Sequence, residues 1–315
     1  MTPLQVGVSA CLLGDEVRFD GGHRRDRFLT DVLGPYVEWV KVCPEVEVGM
    51  GVPRETLRLV RARGDTRMVT ARTEVDYTDA MRAYARRRAE TLAGLDLRGY
   101  VLKKDSPSCG MERVTVFTAH GASTRTGVGL FAEALLARFP SLPIEEEGRL
   151  ADARLRENFI ERLFAYDALR ALFDTRWTYG QLVAFHTAHK LALLSHSTDA
   201  YRSLGRIVAG GRTRPRTELQ RHYEEEFMAA LARPATPRRH TNVLMHMAGH
   251  LKTSLDPASK QELVGCIDEY RRGLVPLVVP LTLLRHHVRV HAVEYLAGQT
   301  YLEPHPRELM LRNHV

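Results

Sequence analysis

The stretch Gly99-Tyr100-Val101-Leu102-Lys103-Lys104-Asp105-Ser106-Pro107-Ser108-Cys109-Gly110 passes from an apolar run into a turn that holds a lone cysteine. Tyr100 to Leu102 reads as a short buried strand. Ser, Pro and Gly then break it, each by its own turn chemistry. The same pattern occurs twice upstream. Leu4 to Ala10 predicts a strand ending at Cys11, and Tyr36 to Val42 predicts one ending at Cys43, where Pro44 stops it. Three thiols at three strand ends call for a metal.

Working outward, Leu57 to Val60 and Arg67 to Thr70 flank Gly64-Asp65 as a predicted hairpin. Val114 to Phe117 predicts a further strand. Helices are expected over 27–33, over 76–95 with Met81, Tyr84, Ala85 and Leu92 apolar, and over 127–139. Strands alternating with helices imply an α/β domain with a mostly parallel, Rossmann-like sheet. Ligands bind such sheets outside the carboxyl ends of the strands, where all three cysteines fall. Residues 140–150 read as a linker, and the expected domains are 1–143 and 144–315. Beyond the linker the strand patterns vanish. Helical periodicity recurs over 151–173, 178–196, 198–209, 218–232, 239–255, 259–272 and 281–296, with an extended tail around Pro304 and Pro306. This is an all-α domain.

The composition, 44% hydrophobic and 26% charged over 315 residues, excludes a disordered or membrane class. Leu274 to Leu284 is the longest apolar-rich run, and it is too short and carries two prolines. Met1-Thr2-Pro3-Leu4 has no basic or apolar leader pattern, so a cytoplasmic protein is expected. Four cysteines are sparse, which in a reducing compartment suggests ligands, catalysts or core residues over disulfides. The net charge of +7 favours an anionic partner such as nucleic acid. Residues 1–150 carry 22 basic against 21 acidic side chains, and residues 151–315 carry 23 against 17. The excess belongs to the second half.

Cys11, Cys43 and Cys109 match no closed zinc motif of paired cysteines. Each alone is more often a buried apolar residue. Together, beside Pro, Ser and Gly, they suit either an open three-thiolate zinc site or an iron–sulfur cluster. On a four-iron cluster, three thiolates leave one iron open to a soft atom such as sulfur. Glu45, two residues after Cys43, is a candidate proton carrier, against a capping carboxylate. Ser106 and Ser108 are candidate hydrogen-bond donors, against ordinary turn residues. Lys103 and Lys104 are more often solvated, and His23 is more often a loop residue.

Val8-Ser9-Ala10-Cys11-Leu12-Leu13-Gly14 with Val17-Arg18-Phe19-Asp20-Gly21-Gly22-His23, then Cys43-Pro44-Glu45-Val46, then Ser106-Pro107-Ser108-Cys109-Gly110 together resemble the thiouracil desulfidase family. The blocks keep the family's order over roughly the first 140 residues. The resemblance implies that Cys11, Cys43 and Cys109 hold a [4Fe-4S] cluster with one free iron. It further implies that Glu45 and Ser106 serve beside it, and that water replaces the sulfur of a thiocarbonyl. Where the family has Gly-Gly after Cys-Pro-Glu, this chain has Val46-Glu47-Val48-Gly49-Met50-Gly51, which implies a different loop wall.

In the second half, Leu182 to Leu191 with Ser195-His196-Ser197 and Ala200 to Gly205 resemble the helical domain fused to such desulfidases in YbgA-like proteins. That resemblance implies action on 4-thiouridine in tRNA, with the helical domain holding the RNA. Free thiouracil is the alternative substrate, and a non-enzymatic RNA-binding or iron–sulfur sensor protein is the alternative class. His186, His189 and Lys190 share one helical face and suit phosphate contact or buried hydrogen bonds. Arg212, Arg214 and Arg216 in one loop, and Arg233, Arg238 and Arg239 in another, are phosphate-contact candidates, against a solvated surface. His246 and His250 read as a packed pair, and Cys266 as core.

Overall fold

In the computed structural model, which describes residues 3–62, 64–118 and 121–314, the three apolar runs become neighbouring strands. The first unit extends to Ala151. It contains β1 (Leu4–Ser9), β2 (Val37–Val42), α1 (Pro44–Glu47), β3 (Leu57–Ala62), β4 (Asp65–Thr70), α2 (Thr78–Ala93), β5 (Gly99–Leu102), β6 (Val114–Thr118), β7 (Ser123–Gly127), α3 (Leu130–Arg138) and β8 (Ile144–Glu146). A π-helical turn, Phe28–Leu33, occupies the short helix expected there.

One sheet has the order β2-β1-β5-β8 and every pair in it is parallel. Its central strands are covered on both faces. Val6, Val8, Tyr100, Val101 and Leu102 are all fully buried, which is why they read as unbroken apolar runs without alternation. Gly7 lies opposite Tyr100 in register, and a Cβ there would stand 2.1 Å from the Tyr100 ring. The expected parallel α/β class is therefore present. The remaining strands form a second, mixed sheet of order β4-β3-β6-β7, in which the predicted hairpin is β3 and β4.

Residues 140–150 are not a linker. Ile144–Glu146 pairs with Tyr100–Leu102 at the edge of the parallel sheet. Two flanking prolines and a run of glutamates hid this strand. Its acidic residues are buried because the protein supplies donors: Glu145 accepts from Arg149 Nε at 2.6 Å, and Glu146 from the Met111 amide at 2.6 Å. The first unit consequently runs past residue 143.

The second unit begins at Asp152. Its helices are α4 (Ala153–Phe173), α5 (Tyr179–His196), α6 (Thr198–Ala209), α7 (Arg216–Leu231), α8 (Pro237–Leu251), α9 (Pro257–Arg271), α10 (Val278–Val290) and α11 (Glu294–Ala297). Side-chain caps start many of them: Asp152, Thr178 in a reciprocal pair with Gln181, Ser197, Thr236 and Asp256. The helix expected over 281–296 is two helices, interrupted at Ala292, where φ is 49°. The tail expected to be extended forms short 3-10 turns. Aromatic and aliphatic side chains, among them Phe159, Tyr223, Phe227, Leu244, Leu284 and Tyr301, fill the interior. Among the described residues no helix is long and apolar enough to cross a membrane.

Candidate functional site

Cys11, Cys43 and Cys109 line a single cavity of about 660 Å³ at the carboxyl ends of the parallel strands. Cys11 sits in a 3-10 turn directly after β1, closed by Gly14 at φ 101°. Cys43 follows β2 and is the N-cap of α1, and its amide donates to Glu47 Oε1 at 3.1 Å. Glu47 is held in turn by the Tyr84 hydroxyl at 2.8 Å and by Arg88. The departure from Gly-Gly at this loop thus supplies a carboxylate that fixes the backbone of Cys43.

The Cys109 loop is built from its own serine and from α3. Ser106 Oγ accepts from the Cys109 amide at 3.1 Å and from the Ser108 amide at 3.3 Å. On its other side the loop caps α3. The carbonyls of Gly110, Pro107 and Ser108 accept from the amides of Gly129, Leu130 and Phe131 at 2.7, 3.1 and 2.9 Å. The free N–H groups of a helix start are satisfied here by backbone, without a capping side chain. Gly129 permits this contact, since a Cβ there would lie 2.5 Å from the Ser108 carbonyl.

Burial raises all three thiols. Cys11 is pushed up to about 11 by burial, with Cys43 nearby adding to it. Cys43 and Cys109 are raised chiefly by burial, with Glu45 adding to both. Thiols in this setting become thiolates only when a cation sits among them. The three groups line one cavity, unlike scattered core cysteines. No three His, Cys, Asp or Glu side chains among the described residues are gathered as a set for one metal ion.

Glu45 stands beside the thiols. Its Oε2 accepts from Arg54 Nε at 2.9 Å and Nη2 at 2.6 Å, while Arg54 Nη1 donates to the Gly51 carbonyl. The Arg54 side chain is 7% exposed. Glu45 Oε1 accepts from Ser108 Oγ at 2.7 Å, and Ser106 Oγ lies 3.4 Å away. Ser108 is therefore the closer partner of Glu45, and Ser106 Oγ is engaged with the turn. Arg54 has no sequence signal beyond being a cation shortly after Cys-Pro-Glu. Lys103 and Lys104 line the same cavity, and Lys103 pairs with Glu147. His23 Nδ1 accepts from the Arg25 amide at the surface.

The candidates in the second unit separate. His186 and His189 are buried, so they do not present themselves to an external phosphate. His186 Nδ1 lies 3.1 Å from the Tyr223 hydroxyl, and His189 Nδ1 lies 2.8 Å from the Phe185 carbonyl. Burial lowers both to about 4. Lys190 is half-buried. Arg212, Arg214 and Arg216 are exposed, with Arg212 over the Tyr179 ring and Arg216 over the Trp177 ring. Arg233 and Arg238 are exposed and Arg239 is half-buried. His246 and His250 are also exposed, contrary to a packed pair, because their side of α8 faces solvent while Val243, Leu244 and Met247 face inward. Cys266 is half-buried on α9.

A family model described as 2-thiouracil desulfurase matches residues 6–147. A second, described as a protein of unknown function, DUF1722, matches residues 190–306. The uncharacterized protein YbgA of Escherichia coli (strain K12) is 36% identical over 161 residues, which are 51% of this chain and 95% of YbgA. A solved structure of the [4Fe-4S]-dependent thiouracil desulfidase TudS is 30% identical, with 47% of this chain and 93% of that chain covered and a TM-score of 0.39. With nearly the whole of YbgA matched at that identity, and the cysteine cavity inside the first matched region, the chain belongs to the YbgA family and bears a 2-thiouracil desulfurase domain at its front.

Proposed function

We propose that the first unit is an iron–sulfur-dependent, non-redox desulfidase, and that its substrate is 4-thiouridine in tRNA. The observation that carries this is one cavity bearing two buried thiols, one half-buried thiol and an oriented carboxylate. Cys11, Cys43 and Cys109 would hold a [4Fe-4S] cluster. When bound, the cluster supplies an iron without a protein ligand, a Lewis acid suited to the thiocarbonyl sulfur.

The protein's own groups do the rest. Arg54 pins Glu45 by one oxygen and leaves Oε1 toward the serines. Glu45 takes a proton from water as that water attacks the thiocarbonyl carbon. The Ser108 and Ser106 hydroxyls orient the base and the water. The C–S bond breaks as the C–O bond forms, so a thiocarbonyl and water give a carbonyl and hydrogen sulfide. No electron is gained or lost, and no redox partner is needed. A base within RNA must leave its stack to reach this cavity. The basic excess of the second half, with Arg212, Arg214, Arg216 and Arg238 exposed, supports an RNA partner. Free thiols of this kind suit the cytoplasm.

The test is anaerobic reconstitution of the full chain with iron and sulfide, followed by assay on thiolated tRNA and on free 4-thiouracil. The expected result is about four irons per chain, loss of the near-ultraviolet thiocarbonyl absorbance of the tRNA, and release of sulfide. Turnover of the free base alone would remove tRNA from the proposal. A colourless, zinc-loaded protein without activity would remove the desulfidase.

A further inference from the structure

The second unit has its own cavity, of about 360 Å³, with a buried, charged floor. Glu157 and Glu161 are four residues apart on α4 and so share a face, and His196, the last residue of α5, stands beside them. The protein satisfies much of this floor. Glu157 meets Arg312 Nε at 3.3 Å and His314 Nε2 at 2.7 Å. His196 Nδ1 lies 2.7 Å from the Arg233 carbonyl, and because a carbonyl only accepts, Nδ1 carries the hydrogen. His196 Nε2 then approaches Glu161 Oε2 no closer than 3.4 Å.

Glu161 Oε1 makes no hydrogen bond, although its side chain is only 5% exposed, and Arg312 Nη2 stands 4.0 Å from it. Leaving such atoms bare is expensive in a protein interior. Glu161 does not escape by taking a proton. Burial opposes its charge, yet His196 and Arg312 outweigh burial and hold the carboxyl at about 2. Glu161 Oε1 is therefore set to receive a hydrogen-bond donor from outside the chain.

Tyr270 and Leu277 add apolar surface to the lining, and Arg154, Arg271 and Arg272, which also line it, are exposed. A matching ligand has an N–H group, a flat body and an anionic tail. The volume is near the lower end for small-molecule sites and holds one such unit. We propose that this cavity binds a nucleoside 5′-phosphate, with an N–H group of the base against Glu161, the ring along Tyr270, and the phosphate at Arg154, Arg271 and Arg272. The ligand is a free mononucleotide or the phosphorylated end of an RNA strand, which share this chemistry. The site lies wholly in the second unit, and the inference does not depend on desulfidase activity.

Isothermal titration of the full-length protein with AMP, GMP, CMP and UMP, each beside its parent nucleoside and inorganic phosphate, tests this. At least one nucleotide binds saturably with one-to-one stoichiometry, and its nucleoside binds about tenfold more weakly or worse. The double variant Arg271→Ala/Arg272→Ala, altered only at exposed side chains, loses about tenfold in nucleotide affinity and much of its salt dependence while nucleoside affinity stays unchanged. Glu161→Gln weakens nucleotide and nucleoside alike. If that variant does not fold, the arginine pair still decides. A 5′-phosphorylated trinucleotide that competes at equal or tighter affinity assigns the site to RNA ends, and one that fails to compete assigns it to free nucleotide. Absence of saturable binding by all four nucleotides, or an arginine variant that binds as the parent does, overturns the proposal.

Discussion

Glu45 has one oxygen held and one offered. Arg54 occupies Oε2 with two N–H groups, so the carboxylate cannot rotate away from Ser108 without breaking a buried pair. Glu45→Gln keeps the shape and removes the base. It should lower kcat for desulfuration by roughly 10²–10⁴-fold while iron content stays at the parent level, as iron analysis of the same preparation will show. Arg54→Lys keeps the charge and loses the two-pronged grip, so kcat should fall while KM changes little. A pure KM effect would place Arg54 in substrate binding instead. At this scale the sequence exposed the chemistry and not the partners. Cysteine, glutamate and serine stand out because they lie in turns beside breakers. Arg54 does not, since an arginine is common. Of the two uses expected for His186 and His189, phosphate contact or buried hydrogen bonds, the structure has the second, within aromatic packing.

The Cys109 loop and α3 are one object. Helix amides are satisfied by loop carbonyls, and Gly129 is the residue that lets them meet. Gly129→Ala presses a methyl group against backbone that has no room to yield. It should reduce iron and sulfide content after reconstitution to a small fraction of the parent value, measured on protein whose circular dichroism is otherwise retained. Retention of full cluster content would show that the loop does not depend on that contact. In the second unit, Thr178→Ala removes the reciprocal cap on α5 and should cost about 1 kcal/mol by denaturant titration. Elements were legible where burial was on both sides or periodic. β1, β5 and most helices were visible for that reason, and β2 by its apolar residues ahead of Pro44. β7 was not, because four of its five residues are exposed and polar. β8 was not, because two of its three residues are glutamates whose burial depends on donors supplied from elsewhere in the first unit.

Across the whole molecule, 12 of the 14 histidines lie beyond residue 151, and several are buried. Burial lowers His186 and His189 to about 4 and His240 to about 3. A histidine depressed in the folded state is protonated first in the unfolded one, so each contributes stability that is present above its unfolded value, ~6.5, and is lost as pH falls toward its folded value. The loss is about 1 kcal/mol per pH unit for each histidine over that window. Glu161, held at about 2, extends the loss below the usual glutamate value as it too is finally protonated. The thermal midpoint of the second unit should therefore drop clearly between pH 7 and pH 5, and hydrogen exchange should localise the loosening to α5, α7 and α8. A midpoint that is flat over this interval would contradict the burial of these rings. The charge count anticipated the basic second half but not this acid sensitivity, because a histidine's depth depends on which helices meet over it. The first unit has a different dependence, one of order in time. The end of β8 and the residue after it supply partners for the Cys109 loop: Glu146 takes the Met111 amide and Glu147 takes the Lys104 amide. A nascent chain that has reached residue 143 already contains all three cysteines, yet lacks the strand that steadies the third. A chain cut at residue 143 should therefore take up less iron on reconstitution than the full chain, and equal iron content would show that residues 144–147 do not steady the Cys109 loop.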